Sequence, residues 1–201
     1  MDLRNDQLKK KYFANFKVSQ YRNPRFPNTI VISFIASVGA GKSYLANALG
    51  KELSIPIFSN DGIRRFLNEQ GVDGDNPLPD LVIDIARARR DLLLENGISY
   101  ILDADLTLTH KQDDRWTSER DAKLMLVRMN CPPELALIQI RQRADHGHSE
   151  SKADEDRYLL REEERSKIPI RSDEIFFDFD VASSFESELS RLVAKLLELQ
   201  G

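Results

Sequence analysis

The residues with the clearest chemical potential run from Ala36 to Ser43, reading Ala-Ser-Val-Gly-Ala-Gly-Lys-Ser. Their spacing is that of a loop that wraps phosphate, with alanine at the first position where glycine is more usual. Gly39 and Gly41 allow the backbone to turn so that successive N–H groups face inward toward anionic oxygens. A helix opening near Lys42 adds its positive N-terminal end. The Lys42 ammonium can reach the β- and γ-phosphates of a nucleotide, and the Ser43 hydroxyl can ligate Mg²⁺. Ser37, Val38, Gly39, Ala40, Gly41, Lys42, Ser43 and Tyr44 are therefore the expected ATP-binding residues, with Lys42 also catalytic and Ser43 also a metal ligand. The alternative is a chance strand–turn–helix. Here the match follows a strand signal and opens a helical one, the context that a phosphate loop requires.

A second group is Asp61-x-x-Arg64, at the end of a strand signal and the start of a helical one. A carboxylate in that place can orient and deprotonate a hydroxyl as general base. Arg64 or Arg65 can grip an anionic or polar substrate with two parallel hydrogen bonds. The competing role is structural, a helix N-cap by Asn60 or Asp61 worth about 1 kcal/mol.

The elements that must position these groups alternate along the chain. Apolar, β-branched runs at 29–36, 55–59, 98–105, 123–131 and 175–181 predict five strands. Helical spacing is expected over 43–53, from Asn60 to a stop at Gly71, over 80–96, from Pro132-Pro133 to about Arg143, near 154–167, and along the C-terminal stripe from Phe185 to Leu197. Strands alternating with helices imply a three-layer α/β fold, a mostly parallel five-stranded sheet with right-handed crossovers and helices on both faces. In such sheets ligands bind beyond the carboxyl ends of the strands, where the phosphate loop and Asp61 both fall.

Composition narrows the class. The chain has 201 residues, 41% apolar and 31% charged, which suits one ordinary domain with a polar surface. No stretch approaches the roughly 20 apolar residues of a membrane span, and the first residues lack the apolar core of a secretory signal. A lone Cys131 excludes an intrachain disulfide and favours a reducing cytoplasm; packing, not nucleophilic chemistry, is its expected role. Residues 1–28 carry seven basic side chains against Asp2 and Asp6, a net +5, which leaves −9 for the remainder of a chain whose net charge is −4. That basic N-terminal arm, set against a kinase-like domain over 29–201, either greets a nucleic acid or lies as a solvated tail on its own acidic body. The tail is the favoured reading.

A phosphate loop alone is shared by several classes of nucleotide-binding protein. The GTPase signatures DxxG and NKxD are absent, as is the transporter signature LSGGQ, and the chain is short for a hexameric motor. With "SNDGIRRFL" after the second strand, "ILDADL" ending the third and "RMNCPPELALIQIRQR" before a polar stretch, the chain resembles the P-loop small kinases of the adenylate-kinase-like group. It looks closest to the branch with polynucleotide 5′-kinase domains, zeta toxins and chloramphenicol phosphotransferase, over about residues 29–197. The resemblance implies ATP and Mg²⁺ as cofactors and Asp61 as the catalytic carboxylate. Arg64, Arg65 and Arg115 would bind the acceptor, and Asp103, with Asp105 near enough to share the role, would hold the metal. It brings Arg141, and less directly Arg143, onto the transferring phosphoryl group, and makes 144–157 a closing lid. His146 and His148 in that stretch make only a weak metal signal, and the lone Trp116 is more often packed than stacked on a substrate ring. The expected activity is transfer of the γ-phosphate of Mg-ATP to a hydroxyl of a small-molecule or nucleotide-like acceptor. The alternatives are a polynucleotide 5′-hydroxyl kinase or nucleic-acid repair factor, and a non-catalytic ATP-binding switch; the acceptor itself is not written in these motifs.

Overall fold

The computed structural model describes residues 3–21, 26–72, 79–145 and 151–200. The apolar run at 29–35 forms β1 (Thr29–Ile35), with every residue from Ile30 onward buried. Its alternation feeds two cores. Ile30, Ile32 and Phe34 pack with Leu45 and Leu49 of α2 (Lys42–Leu53) and with Leu192 and Leu196 of α8 (Phe185–Leu197). Val31 and Ile35 point the other way, to Leu93 and Leu94 of α4 (Pro79–Glu95). A strand covered on both faces needs this nearly continuous apolar sequence.

The remaining strands are β2 (Ile57–Phe58), β3 (Tyr100–Asp105), β4 (Ala122–Asn130) and β5 (Phe177–Asp180). All four pairings are parallel, in the order β2-β3-β1-β4-β5. The five expected strands therefore form one parallel sheet between helical layers. β1 is central, so the loop after it opens at the middle of the sheet's carboxyl edge, where the chain crosses from one side to the other. The helices α3 (Asn60–Glu69), α5 (His110–Ser118), α6 (Pro133–Asp145) and α7 (Ser151–Ser166) complete the layers.

The basic N-terminal segment is more than a tail. Residues Leu3–Asn15 form α1, and its Leu8, Tyr12 and Phe13 pack on a cluster built from Ile63 and Leu67 of α3 and Leu81 and Ile85 of α4. Tyr12 meets Phe66 at a ring-centroid distance of 5.2 Å. Beneath it lies Arg89 of α4, only 2% exposed, which donates to Tyr12 Oη at 3.0 Å and to the Ser59 carbonyl at 3.3 Å. Leu8, Tyr12 and Phe13 share a face of α1, with Phe16 packed just beyond its end, while Lys10 and Lys11 are exposed, so charge count alone hid the helix's apolar face.

Candidate active site

The phosphate loop joins β1 to α2 as expected. Gly39 and Gly41 both lie in the left-handed region, at φ 84° and 82°, and Gly41 precedes the first turn of α2. The two glycines are needed for different reasons. A Cβ on Gly39 would stand 2.5 Å from the Ala136 carbonyl oxygen and 2.9 Å from Ile140 Cγ1, because the loop leans directly on α6. A Cβ on Gly41 would meet only Gln139 Oε1, at 3.7 Å, so there the requirement is conformational.

In front of the loop lies a cleft of about 540 Å³. Loop residues 36–43 form one side, and Asp61, Arg64, Asp105, Arg161 and Arg165 face them. Lys42 Nζ sits 2.7 Å from Asp103 Oδ1 in a largely buried ion pair. Asp105 accepts from Ala36 N at 3.2 Å, from Thr107 N at 3.1 Å and from Thr107 Oγ1 at 2.6 Å. Both aspartates owe their places to an irregularity at the end of β3. Ile32 pairs with Ile101 but Phe34 with Asp105, so β3 advances four residues while β1 advances two. Ser33 Oγ, fully buried, donates into the bend at the Leu102 carbonyl, 2.9 Å away.

On α3 the N-cap is Ser59, whose Oγ accepts from Gly62 N at 3.3 Å. Neither Asn60 nor Asp61 is used for capping, and Asp61 stands exposed on the cleft with Arg64 Nη1 2.6 Å from its Oδ1. Arg65 is exposed one position further round the helix and does not line the cleft.

Three more expected positions fall elsewhere. Arg141 does not line the cleft; its Nε and Nη2 lie 3.0 and 3.3 Å from the Glu155 carboxylate, tying α6 to α7. That contact raises the Arg141 pKa and draws the Glu155 carboxyl below its ordinary value. Arg115 is 82% exposed, with Nε 2.9 Å from Glu119, just past the end of its own helix, and does not line the cleft. Tyr44 turns away from the cleft, its ring 4.6 Å from that of Phe185. The Arg143 side chain, His146, His148 and the centre of the expected lid, 146–150, lie outside the described residues.

Besides Arg64, the arginines that face the loop are Arg161 and Arg165 of α7. Arg165 is mostly buried, with Nη1 3.1 Å from Asp105 Oδ2 and 2.9 Å from Thr107 Oγ1, and Nε 3.1 Å from Glu162. Sequence reasoning passed over both as part of a charged helix. Their i, i+4 spacing, which places two cations on one face, was the available signal. Cys131 packs at the end of β4 between two apolar clusters, and burial pushes its thiol pKa up, so its surroundings disfavour the reactive thiolate.

A second cavity of about 520 Å³ continues from the first between α4 and α5, with Asp105 and Thr109 lining both. Trp116 forms part of its wall, but its ring is already covered by the guanidinium of Arg90 at 4.2 Å and of Arg120 at 4.3 Å. It offers no free face for a substrate ring.

The donors present suit Mg²⁺. Ser43, Asp103 and Asp105 supply hard oxygens, and among the described residues no group of three or more His, Cys, Asp or Glu could hold a metal ion. Mg²⁺ typically uses one or two carboxylates, with phosphate and water completing its shell.

A parallel five-stranded sheet with a phosphate loop after its central strand and arginines converging from a late helix defines a P-loop protein of the small-kinase fold. The chain belongs to the AAA domain family AAA_33, whose family model matches residues 31–164, two-thirds of its length. Similar solved structures include a gluconokinase from Sinorhizobium meliloti 1021, with 17% identity, TM-score 0.55, and 88% of this chain and 95% of that one covered. The PezAT chromosomal toxin–antitoxin system of Streptococcus pneumoniae aligns at 16% identity and TM-score 0.61, covering 96% of each chain. The APS kinase of Mycobacterium tuberculosis, in complex with AMPPNP and APS, gives 16% identity and TM-score 0.55, with 84% and 98% covered. None of the curated proteins matches the chain in sequence. At these identities the likeness establishes the fold.

Proposed function

We propose that this protein is an ATP-dependent phosphotransferase that moves the γ-phosphoryl group of Mg-ATP to a hydroxyl of a small-molecule or nucleotide-like acceptor. The observation that carries the reading is one cleft holding a phosphate loop, an uncapped, exposed carboxylate opposite it, and two arginines from a third element. Gluconokinase and APS kinase among the structural neighbours support it.

Each residue has a task that its position supports. The inward N–H groups of the loop and the Lys42 ammonium bind the phosphates, Lys42 exchanging Asp103 for a phosphate oxygen. Arg161 and Arg165 meet the transferring group from the opposite side and offset the charge that develops there. An Asp61 carboxylate oxygen takes the proton of the acceptor hydroxyl, and Arg64 holds that carboxylate and the acceptor in register. Asp105, fixed by Ala36 N and Thr107, keeps β3 and the loop in a constant relation. Ser43, Asp103 and Asp105 are the residues that would hold Mg²⁺, which supplies charge neutralisation at the phosphates when bound. No helix among the described residues is long and apolar enough to cross a membrane, and with the single cysteine this fits work in a reducing cytoplasm.

The test is ATP consumption by the purified protein over a panel of hydroxyl-bearing acceptors that includes 5′-hydroxyl oligonucleotides, beside Lys42→Ala and Asp61→Asn. The expected result is acceptor-dependent ADP formation that falls about 10²–10⁴-fold in Asp61→Asn and is lost in Lys42→Ala. ATP binding without turnover on any acceptor would make the protein a nucleotide-binding switch. Absence of ATP binding would overturn the reading of the loop.

A further inference from the structure

The second cavity ends in a charge that nothing answers. Its carboxylates are Asp91, Asp105 and Asp113. Asp113 Oδ1 lies 2.6 Å from Arg90 Nη2, Asp91 Oδ1 lies 2.7 Å from Arg120 Nη2, and Asp105 is met by Arg165 at 3.1 Å. Each has an arginine beside it, Asp105 sharing Arg165 with Glu162. Arg90 is spent on Asp113 and on the face of Trp116. Arg87, one turn earlier on α4, is exposed on the same wall and has no ion pair or hydrogen bond among the described residues. Among the described residues Arg87 is therefore the one guanidinium lining this cavity with no carboxylate beside it, and its planar fork suits two parallel hydrogen bonds with an oxyanion.

We propose that the acceptor is a small polyhydroxylated anion, with its carboxylate or phosphate seated on Arg87 and its reacting hydroxyl at the Asp61 end. This rests on the phosphotransferase reading and specifies its substrate class. The volume of about 520 Å³ suits a small molecule and not a polynucleotide track. Apolar Ile83 and Ala86 on the α4 wall, with Leu102 on the floor, leave few polar partners for an anion along the way. Polar Asn60, Thr109 and Gln112 are available to hydroxyls nearer the phosphate cleft. A neutral polyol would leave Arg87 without a charged partner, whereas an anionic acceptor supplies one.

Trp116 lines this cavity and is the only tryptophan in the chain, so its emission reports occupancy without a label. The full chain, with AMPPNP saturating the phosphate cleft, is titrated with matched pairs: gluconate against sorbitol, and glycerol 3-phosphate against glycerol. At least one anionic probe should bind tenfold or more tighter than its neutral partner. Arg87→Gln should abolish that preference while leaving the neutral probe unchanged, and Arg87→Lys should restore part of it. A preference confined to gluconate identifies a carboxylate, and one confined to glycerol 3-phosphate a phosphate monoester. Equal response to both members of each pair, no response to either anion, or a preference that survives Arg87→Gln overturns the proposal. AMPPNP binding is measured separately; its loss would sink the phosphotransferase reading instead.

Discussion

Replacing Gly39 by alanine tests whether the phosphate loop is shaped by packing as well as by backbone conformation. A left-handed non-glycine residue costs about 1–2 kcal/mol. The added Cβ would also sit 2.5 Å from the Ala136 carbonyl oxygen, a backbone atom that no rotamer change can move. Shifting α6 to admit it is an overpacking problem of about 1–3 kcal/mol. Gly39→Ala should therefore lose about 3 kcal/mol, a fall in Tm of about 6–12 °C for a domain of this size. Gly41→Ala shares the backbone penalty, at φ 82°, but its Cβ meets nothing closer than 3.7 Å. It should lose only about 1–2 kcal/mol, or about 2–8 °C. Urea unfolding of both variants and the parent, read by far-UV circular dichroism, gives the comparison directly. Equal losses in the two variants, or Gly39→Ala within about 1 kcal/mol of the parent, would refute the argument that the loop is held against α6.

Once an acceptor is in hand, Arg165→Ala should lower kcat/KM by about 10²–10³-fold through loss of charge stabilisation at the phosphoryl group, while Arg141→Ala, which only unties Glu155, should stay within a few-fold. The reverse order would return the phosphate role to Arg141. Asp178 on β5 faces Arg128 on β4, with contacts at 2.5 and 3.0 Å that hold its carboxyl below the usual aspartate range. A lowered folded pKa gives stability that is present above the unfolded value, near 3.9, and is lost as pH falls through the folded one. Asp178→Asn should thus be less stable by about 0.2–1 kcal/mol, in keeping with an exposed pair, above about pH 5, with the gap closing in acid. A gap that is independent of pH would show that the pair's charge contributes nothing.

The sheet and the phosphate loop were legible because their signals are local. A buried parallel strand needs an unbroken apolar run, and two left-handed positions before a lysine need glycine. Asp61 was legible for the same reason, as a carboxylate at a strand end, although the residue that caps its helix, Ser59, stands two positions earlier. Arg165 was not legible, because its approach to Asp105 depends on where α7 docks, 60 residues away in sequence. The split of contacts, Asp103 to Lys42 and Asp105 to Ala36 N and Thr107, was equally hidden. It follows from an irregular register between β1 and β3, which no periodicity announces. α1 was read only as a tail lying on its own domain, and its helix was missed for a different reason: a high density of lysine masked three apolar residues on one face and Phe16 just beyond it.

That first helix also sets a timetable for synthesis. Tyr12 leaves the ribosome 77 residues before Arg89, the buried cation whose hydrogen bond it accepts. At about 5–20 residues per second the interval is about 4–15 s. Until it ends, Tyr12, Phe13 and Phe16 have only part of their native surface, Phe58 and α3, to rest on. Lys9, Lys10, Lys11 and Lys17, which flank these aromatics, keep the early segment hydrated until α4 exists, so the same basic residues that read as a tail in the finished protein serve as its solubilising cover during birth.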